Sequence, residues 1–347
     1  MKPYISVILP CYNVADFLPA CMESLEKQTI GIENLELIFV DDASSDDGKT
    51  WECILEFEKK YPDHVAAIHL EKNRCQGGAR NVGLSYASAD YIGYLDPDDW
   101  IDPNMYLSLL MKALQYQCDV VDCRIAMAYP DGRLGVREPI DDKFDELQHS
   151  IIDGGEHWID TFISGNYGGG IVSGIYRKEL LLQSGIIFPE NIKYEDNFWQ
   201  SILMLYVKRY YHLGNDYYFY RQNMQSTVHK KNQTYHFDRL EIEKKKVDAY
   251  KRLGIFERFQ RQIELDFLGY YYINTLAIMW SRFDDPPYDV FCNMQKEIKD
   301  LFPEYKKNPY IIEGSLFETL IEFIDKPVTK EEFIEVGKQV MRCNNDV

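Results

Sequence analysis

No Cys-x-x-Cys pair and no His/Cys spacing of the zinc-binding kind occurs in this chain, although it holds eight cysteines. That counts against a zinc site, and Cys11, Cys21 and Cys53 fall in apolar segments where thiols act as small fillers. Apolar runs long enough to cross a bilayer are also lacking, since the best of them, Ile202 to Val207, is short and meets Lys208-Arg209. No secretory leader is read, because Met1-Lys2-Pro3 runs directly into a strand. The expected location is therefore cytoplasmic, with reduced thiols; a peripheral seat at the inner face of the membrane is the variant of it. Positive charge is scarce: 38 Lys and Arg against 56 Asp and Glu leave a net charge of −18. Such a surface repels phosphate backbones and anionic lipid, so neither nucleic acid nor a broad membrane footprint is expected. Fixed-period repeats and low-complexity tracts are missing as well.

What the chain does have is apolar material for a full core, 46% of 347 residues. Ile5–Leu9, Leu37–Val40 and Tyr91–Leu95 are short, β-branched or aromatic runs, too apolar for half-solvated edges, and read as buried parallel strands. Helical spacing lies between them, as in Phe17, Cys21, Leu25 and again in Trp51, Ile54, Leu55. The order is βαβ, and the fold class is α/β with a mostly parallel, Rossmann-like sheet flanked by helices. Ligands of such sheets sit at the carboxyl ends of the strands. Those ends carry Pro10-Cys11-Tyr12-Asn13, Asp41-Asp42 and Asp96-Pro97-Asp98-Asp99. Crowded carboxylates call for a cation, and oxygen ligands favour Mg²⁺ or Mn²⁺ bridging to phosphate. Taken singly, each acidic pair also makes a sound turn or helix cap.

Other segments carry the same two readings. Asn73, Arg74, Gln76 and Gly77-Gly78 form either a plain loop into the helix near Ala79 or a phosphate-binding helix start. Glu195-Asp196 either begins an amphipathic helix with Phe198, Ile202 and Leu205, or supplies a catalytic carboxylate. His229 ends the polar stretch from Arg221 and is either a metal or phosphate contact or a surface side chain. After about residue 230 the pattern turns helical, with long helices between Tyr235 and Trp280 broken near Leu253-Gly254 and further ones at 290–301, 316–324 and 330–341. The expected division is 1–230 for the nucleotide-sugar and catalytic domain and 231–347 for a C-terminal helical extension. Its aromatic band, Phe267, Tyr270, Tyr271, Tyr272 and Trp280, is read first as packing, with acceptor stacking or homo-oligomer contact as alternatives.

The blocks together resemble family 2 glycosyltransferases of the GT-A fold. The resemblance spans Ile5 to Pro103 through Pro10–Asn13, Val40–Asp46, and Gly78–Gly83 running into Leu95–Asp99; Phe188-Pro189-Glu190 through Tyr194-Glu195-Asp196 resembles the family's acceptor-side acidic motif. Ala43 stands where many relatives have glycine, and Pro97 replaces a commoner small polar residue. Carried over, the resemblance implies that Asp42 accepts the imide N–H of uracil, with Pro10, Tyr12 and Asn13 around the base or ribose. It places Asp96 toward the ribose and a metal-bound water, Asp98 on the divalent cation, and Arg80 by the base or diphosphate. Asp196 becomes the catalytic base with Glu195 as its orienting neighbour. His229 completes the metal site in one version.

The expected reaction moves a sugar from a nucleoside-diphosphate donor, a UDP-sugar by preference, to a hydroxyl of a saccharide or lipid-linked glycan acceptor. Asp196 takes the acceptor proton, a task worth about 10²- to 10⁴-fold for positioned bases. The Mn²⁺ or Mg²⁺ ion neutralises the leaving phosphate. No residue is singled out as a nucleophile on the opposite face, so a single displacement with inversion is expected. A catalytically silent nucleotide-sugar-binding module would be expected to lose Asp98 or Asp196, and both are present. A nucleotidyltransferase would carry a glycine-rich Arg/Lys loop after the first strand, where this chain has Pro10-Cys11-Tyr12-Asn13. Contacts to the sugar are assigned to Tyr94–Trp100 and Asn166–Ser173, including Gly168-Gly169-Gly170.

Overall fold

The computed structural model describes residues 2–136, 151–153, 170–223 and 230–345. They fall into two compact units, one reaching to Asn223 and one beyond it. In the first, β1 (Ile5–Cys11), β2 (Leu35–Asp41), β3 (Val65–His69) and β4 (Tyr91–Tyr94) pair in parallel in the order β3-β2-β1-β4. The first two apolar runs thus extend one or two residues past their expected ends, so that Cys11 and Asp41 are still strand residues in register with each other, whereas the third stops one residue early at Tyr94.

Beyond β4 the sheet changes character. It includes β5 (Trp100–Ile101), β6 (Val120–Ala128), β7 (Leu134–Val136), β8 (Ile151–Asp153), β9 (Gly174–Arg177) and β10 (Arg209–Arg221), and the order continues β9-β6-β10-β5. Strand β9 is antiparallel to both β4 and β6, whereas β10 runs parallel to β6 and antiparallel to β5. Four parallel strands therefore lead into a mixed half. Register shifts near Asp216 break the alternation of β10, and polar residues interrupt its apolar face, so its 13 residues carry little period-two signal.

Both faces of β1 are covered, which is why all seven of its residues are buried. Ile5, Val7, Leu9 and Cys11 join a core with Leu18, Cys21 and Leu25 of α1 (Leu18–Glu26), Ile54 and Phe57 of α2 (Lys49–Lys60), and Leu109 and Leu110 of α4 (Met105–Tyr116). Full burial of each such side chain is worth roughly 1.5–3 kcal/mol. Ile8 faces the other way, onto α3 (Cys75–Tyr86), where a Cβ on Gly83 would lie 2.4 Å from the Ile8 Cγ2 atom. Glycine at that position is what lets the helix approach the sheet.

The α3 side also holds an aromatic cluster. Phe188 stacks on Trp199 at 4.5 Å between ring centroids, and Tyr94 meets both rings edge-on at 5.5 and 5.6 Å. Trp199 belongs to α6 (Glu195–Leu203), which follows α5 (Lys178–Ser184). This packing ties the helix that begins at Glu195-Asp196 to the end of β4.

One turn at the sheet's carboxyl edge carries strain. Ala43 follows β2 with φ of +56°, a left-handed conformation that costs an L-residue roughly 1–2 kcal/mol. Part of that gain is offset by glycine's greater freedom in the unfolded chain. The Ala43→Gly variant is expected to be more stable by about 0.5–1 kcal/mol, read as a higher thermal midpoint. An unchanged or lower midpoint would mean the turn is not strained.

The second unit is helical: Asp238–Arg252, Gln260–Phe267, a π-helical stretch at Leu268–Ile273, Asn274–Arg282, Tyr288–Leu301, Leu316–Ile321 and Lys330–Asn345. Where the second long helix is expected, from the break near Leu253-Gly254 to Trp280, the π-helical turn interrupts the α-helical ladder. Phe267, Tyr271 and Tyr272 are buried inside the unit, with Phe267 stacked on Tyr271 at 4.3 Å and the Tyr271 hydroxyl donating to Glu297. Trp280 packs on Phe333 and fills the space a Cβ at Gly337 would need. Packing accounts for these four aromatics, and Tyr270 is the exposed member of the band. No helix among the described residues is long and apolar enough to cross a membrane.

Candidate active site

In each acidic cluster one member serves the fold, and another keeps a carboxylate oxygen with no hydrogen bond among the described residues. Asp41 is fully buried at the end of β2; its Oδ2 lies 2.8 Å from the His69 Nδ1 and its Oδ1 accepts the Ser44 amide. Asp42, one residue on, accepts the Arg74 amide on Oδ1 at 2.7 Å, and its backbone carbonyl accepts from the Asn73 side chain. Burial pushes the Asp42 carboxyl up to about 6, with the Arg74 hydrogen bond opposing. Pro10 lies inside β1, and Tyr12 just past it is exposed. Asn13, also left-handed, staples this loop to the next one: its amide donates to the Ser44 hydroxyl and its Oδ1 accepts the Ser45 amide at 2.7 Å. The first two strand ends thus share one rigid rim beside Asp42.

The Asp96–Asp99 segment is a tight turn closed by the Asp99 amide on the Asp96 carbonyl. Asp99 is buried and serves the sheet, accepting the Tyr218 hydroxyl and the Arg221 amide of β10. Asp98 stays partly exposed. Burial first, and then the charge of Asp96, push its carboxyl up to about 6. Arg221 donates its Nε to the Asp98 carbonyl and lies over the Trp100 ring at 4.7 Å, which fixes the turn from the far side.

Arg80 joins this edge to Glu195. Its guanidinium is buried, donating from one terminal nitrogen to Asp96 Oδ1 at 2.9 Å and from the other to Glu195 Oε1 at 2.7 Å. Burial alone would lower its basicity, but Asp96, Glu195 and Asp196 outweigh that and raise it. Glu195 is buried and its carboxyl is pushed up to about 7, chiefly by desolvation, with Arg80 opposing and Asp196 adding. Asp196 keeps some exposure, and burial raises its carboxyl too. A carboxylate of raised basicity at a solvent-reachable helix start can receive a proton.

Asp42, Asp96 and Asp98 thus stand at the carboxyl ends of β2 and β4, and Arg80 links Asp96 to the Glu195 that adjoins Asp196. His229 and Gly168-Gly169 lie outside the described residues. Among the described residues no group of three or more His, Cys, Asp or Glu is arranged to hold a metal ion. Several supporting contacts are not foreseen from the sequence: the Arg74–Glu190 pair, the Asn81 bonds to Phe188, the Trp199 stack and the Arg221 hold on Asp98. Only the first had a signal, the three-residue spacing of Arg74, Gly77 and Arg80 along one helical face.

The model of "Glycosyl transferase family 2" matches residues 6–171. That stretch, just under half of the chain, is similar to family 2 glycosyltransferases. Among curated relatives, the uncharacterized glycosyltransferase YibD of Escherichia coli (strain K12) is 28% identical over 275 residues, 76% of this chain and 77% of that protein. The minor teichoic acid biosynthesis protein GgaA of Bacillus subtilis (strain 168) is 31% identical over 244 residues, 66% of this chain; the chain spans about half, 51%, of GgaA. A crystal structure of S. aureus TarS 1-349 in complex with UDP-GlcNAc superposes with a TM-score of 0.71 over 98% of this chain and 92% of that one, at 19% identity. That likeness shows the GT-A fold with its C-terminal helical region.

Proposed function

We propose that the protein transfers a sugar from a nucleoside-diphosphate donor, a UDP-sugar by preference, to a hydroxyl of a glycan or lipid-linked saccharide, with inversion at the anomeric carbon. The observation that carries this reading is the Arg80 bridge, which links the strand-end carboxylate Asp96 to the Glu195-Asp196 helix start through one buried cation. The UDP-GlcNAc bound to TarS and the teichoic acid role in the name of GgaA support the donor and acceptor classes.

Asp42 would receive the uracil imide N–H on the oxygen not taken by the Arg74 amide. Tyr12 and Asn13 would line the base and ribose, on the rim stapled by Ser44 and Ser45. A divalent cation fits the residues present: Asp98, partly exposed and crowded by the charge of Asp96, has no ion pair among the described residues, and Asp96 keeps one oxygen free of Arg80. Two carboxylates plus substrate phosphate are a common Mg²⁺ or Mn²⁺ set. When bound, such an ion offsets the charge that grows on the leaving diphosphate. Asp196 would take the proton from the attacking hydroxyl, while Glu195, held by Arg80, keeps the helix start in place. Incubation with Mn²⁺ and UDP-sugars, followed by NMR of the product, tests the reading. Donor-dependent UDP release with inverted anomeric configuration is expected. A retained configuration contradicts the single displacement, and no release with any donor contradicts the transferase role.

The Asp42 carboxyl gives a pH signature. Only its ionised form accepts the imide proton, so affinity should be flat above neutrality and fall as pH drops through about 6. Between pH 7 and pH 5 the ionised fraction falls roughly tenfold, and metal-free affinity for a UDP-sugar should fall with it. The diphosphate diester itself does not titrate in that range. Calorimetry at the two pH values checks this, and Asp42→Asn should bind weakly and without the pH dependence.

A further inference from the structure

One face of α3 is built around the acceptor-side segment. Arg74, just before the helix, grips Glu190 through two nitrogens, with its NH2 group 2.6 Å from Oε1 and its Nε 3.0 Å from Oε2; its carbonyl accepts the Asn191 amide. One turn later Gly77 leaves no space, since a Cβ there would lie 2.4 Å from the Pro189 carbonyl oxygen and 2.8 Å from Glu195 Cγ. Arg80 follows at the next turn, bound to Glu195, and Asn81 exchanges two hydrogen bonds with the Phe188 backbone, both at 2.9 Å. Residues spaced by three and four along the helix therefore all meet 188–195. Phosphate recognition does not require that pattern.

Both terminal nitrogens of Arg80 are already engaged, while its buried Nε has no partner among the described residues. Its two terminal nitrogens hold Glu195 and Asp96, its plane lies over the Phe188 ring at 5.4 Å, and only 2% of the residue is exposed. A diphosphate could reach it only by displacing a carboxylate from a buried pair, which leaves that carboxylate unpaired at high cost. We propose that Arg80 is a positioning residue and not a ligand of the donor diphosphate: it clasps Asp96 on the donor side to Glu195 on the acceptor side and so sets where Asp196 stands. Arg74 and Glu190 make a second clasp that holds the same segment. The inference rests on the reading that Asp96 serves the donor and Asp196 the acceptor.

The fork geometry makes Arg80→Lys informative, because lysine keeps the charge and cannot hold two carboxylates in the same way. With wild type, Arg80→Lys, Glu195→Gln and the double variant, UDP affinity should stay within about threefold of wild type while kcat falls roughly 10²-fold, the scale of a 1 Å misplacement. The double variant should be no slower than the slower single one. A structural weakening alone would lower the thermal midpoint without dividing affinity from kcat in this way. UDP affinity falling tenfold or more with kcat retained would overturn the proposal, as would multiplicative losses in the double variant. Should Arg80→Lys not fold, Glu195→Gln carries the test by itself: lowered kcat at unchanged UDP affinity supports the clasp, and unchanged kcat overturns it. Wild-type protein that binds no UDP defeats the functional reading instead. The clasp is then read from the thermal midpoints of the same four proteins, where non-additive shifts support it and additive shifts overturn it.

Discussion

Asp196→Asn is expected to lower kcat by about 10³-fold, within the range typical of a positioned general base, and to leave UDP affinity unchanged. Asparagine matches aspartate in size, so the start of α6 and its Trp199 anchor should be undisturbed; what is lost is the capacity to take a proton. Asp196 is suited to that task because it keeps some exposure while burial raises its basicity. Glu195 is the poorer candidate, since it is buried and its oxygen is held by Arg80. Initial rates at saturating donor, with calorimetry of UDP beside them, check the expectation. A variant within threefold of the wild-type rate would remove Asp196 from the base role.

The second large effect concerns the cation. With Asp98→Ala, Mn²⁺ should no longer strengthen UDP binding, while metal-free affinity stays as in wild type. Losing even an outer-shell partner of a metal site typically costs about 10–100-fold in metal affinity, so a first ligand should cost at least that much. The partly exposed Asp98 carboxyl, raised by burial and by the charge of Asp96, is one that a cation would stabilise. Persistence of the Mn²⁺ effect in Asp98→Ala would place the ion elsewhere.

Much of the parallel half of the sheet was legible in the sequence, and the reasons are physical. Ile5–Leu9 and Tyr91–Leu95 are doubly buried, so they are apolar without alternation, and acids that end such runs stand out. The mixed half was not legible, because β9 is short and β10 is bulged and polar along much of its length. Within the acidic clusters, residue type alone could not say which member of a pair supports the fold. Asp41 and Asp99 bind His69, Tyr218 and the Arg221 amide, contacts from elements 28 to 122 residues away in the chain. Asp42, although buried, and the partly exposed Asp98 each keep a carboxylate oxygen with no hydrogen bond among the described residues. Arg80 illustrates the same point from the other side: its motif marked it as important, but its partners, Asp96 and Glu195, come from a strand end and from a helix 115 residues later. Only the folded chain brings those charges together.

The central claim is that the strand-end acids form a metal-assisted uridine-diphosphate site. Calorimetric titration of the wild-type protein with UDP, GDP and dTDP, each with and without Mn²⁺, addresses it most directly. Selective binding of UDP that Mn²⁺ strengthens is the predicted result. Absence of binding to any of the three nucleotides would contradict the account and leave Asp42 and Asp98 as residues of turns.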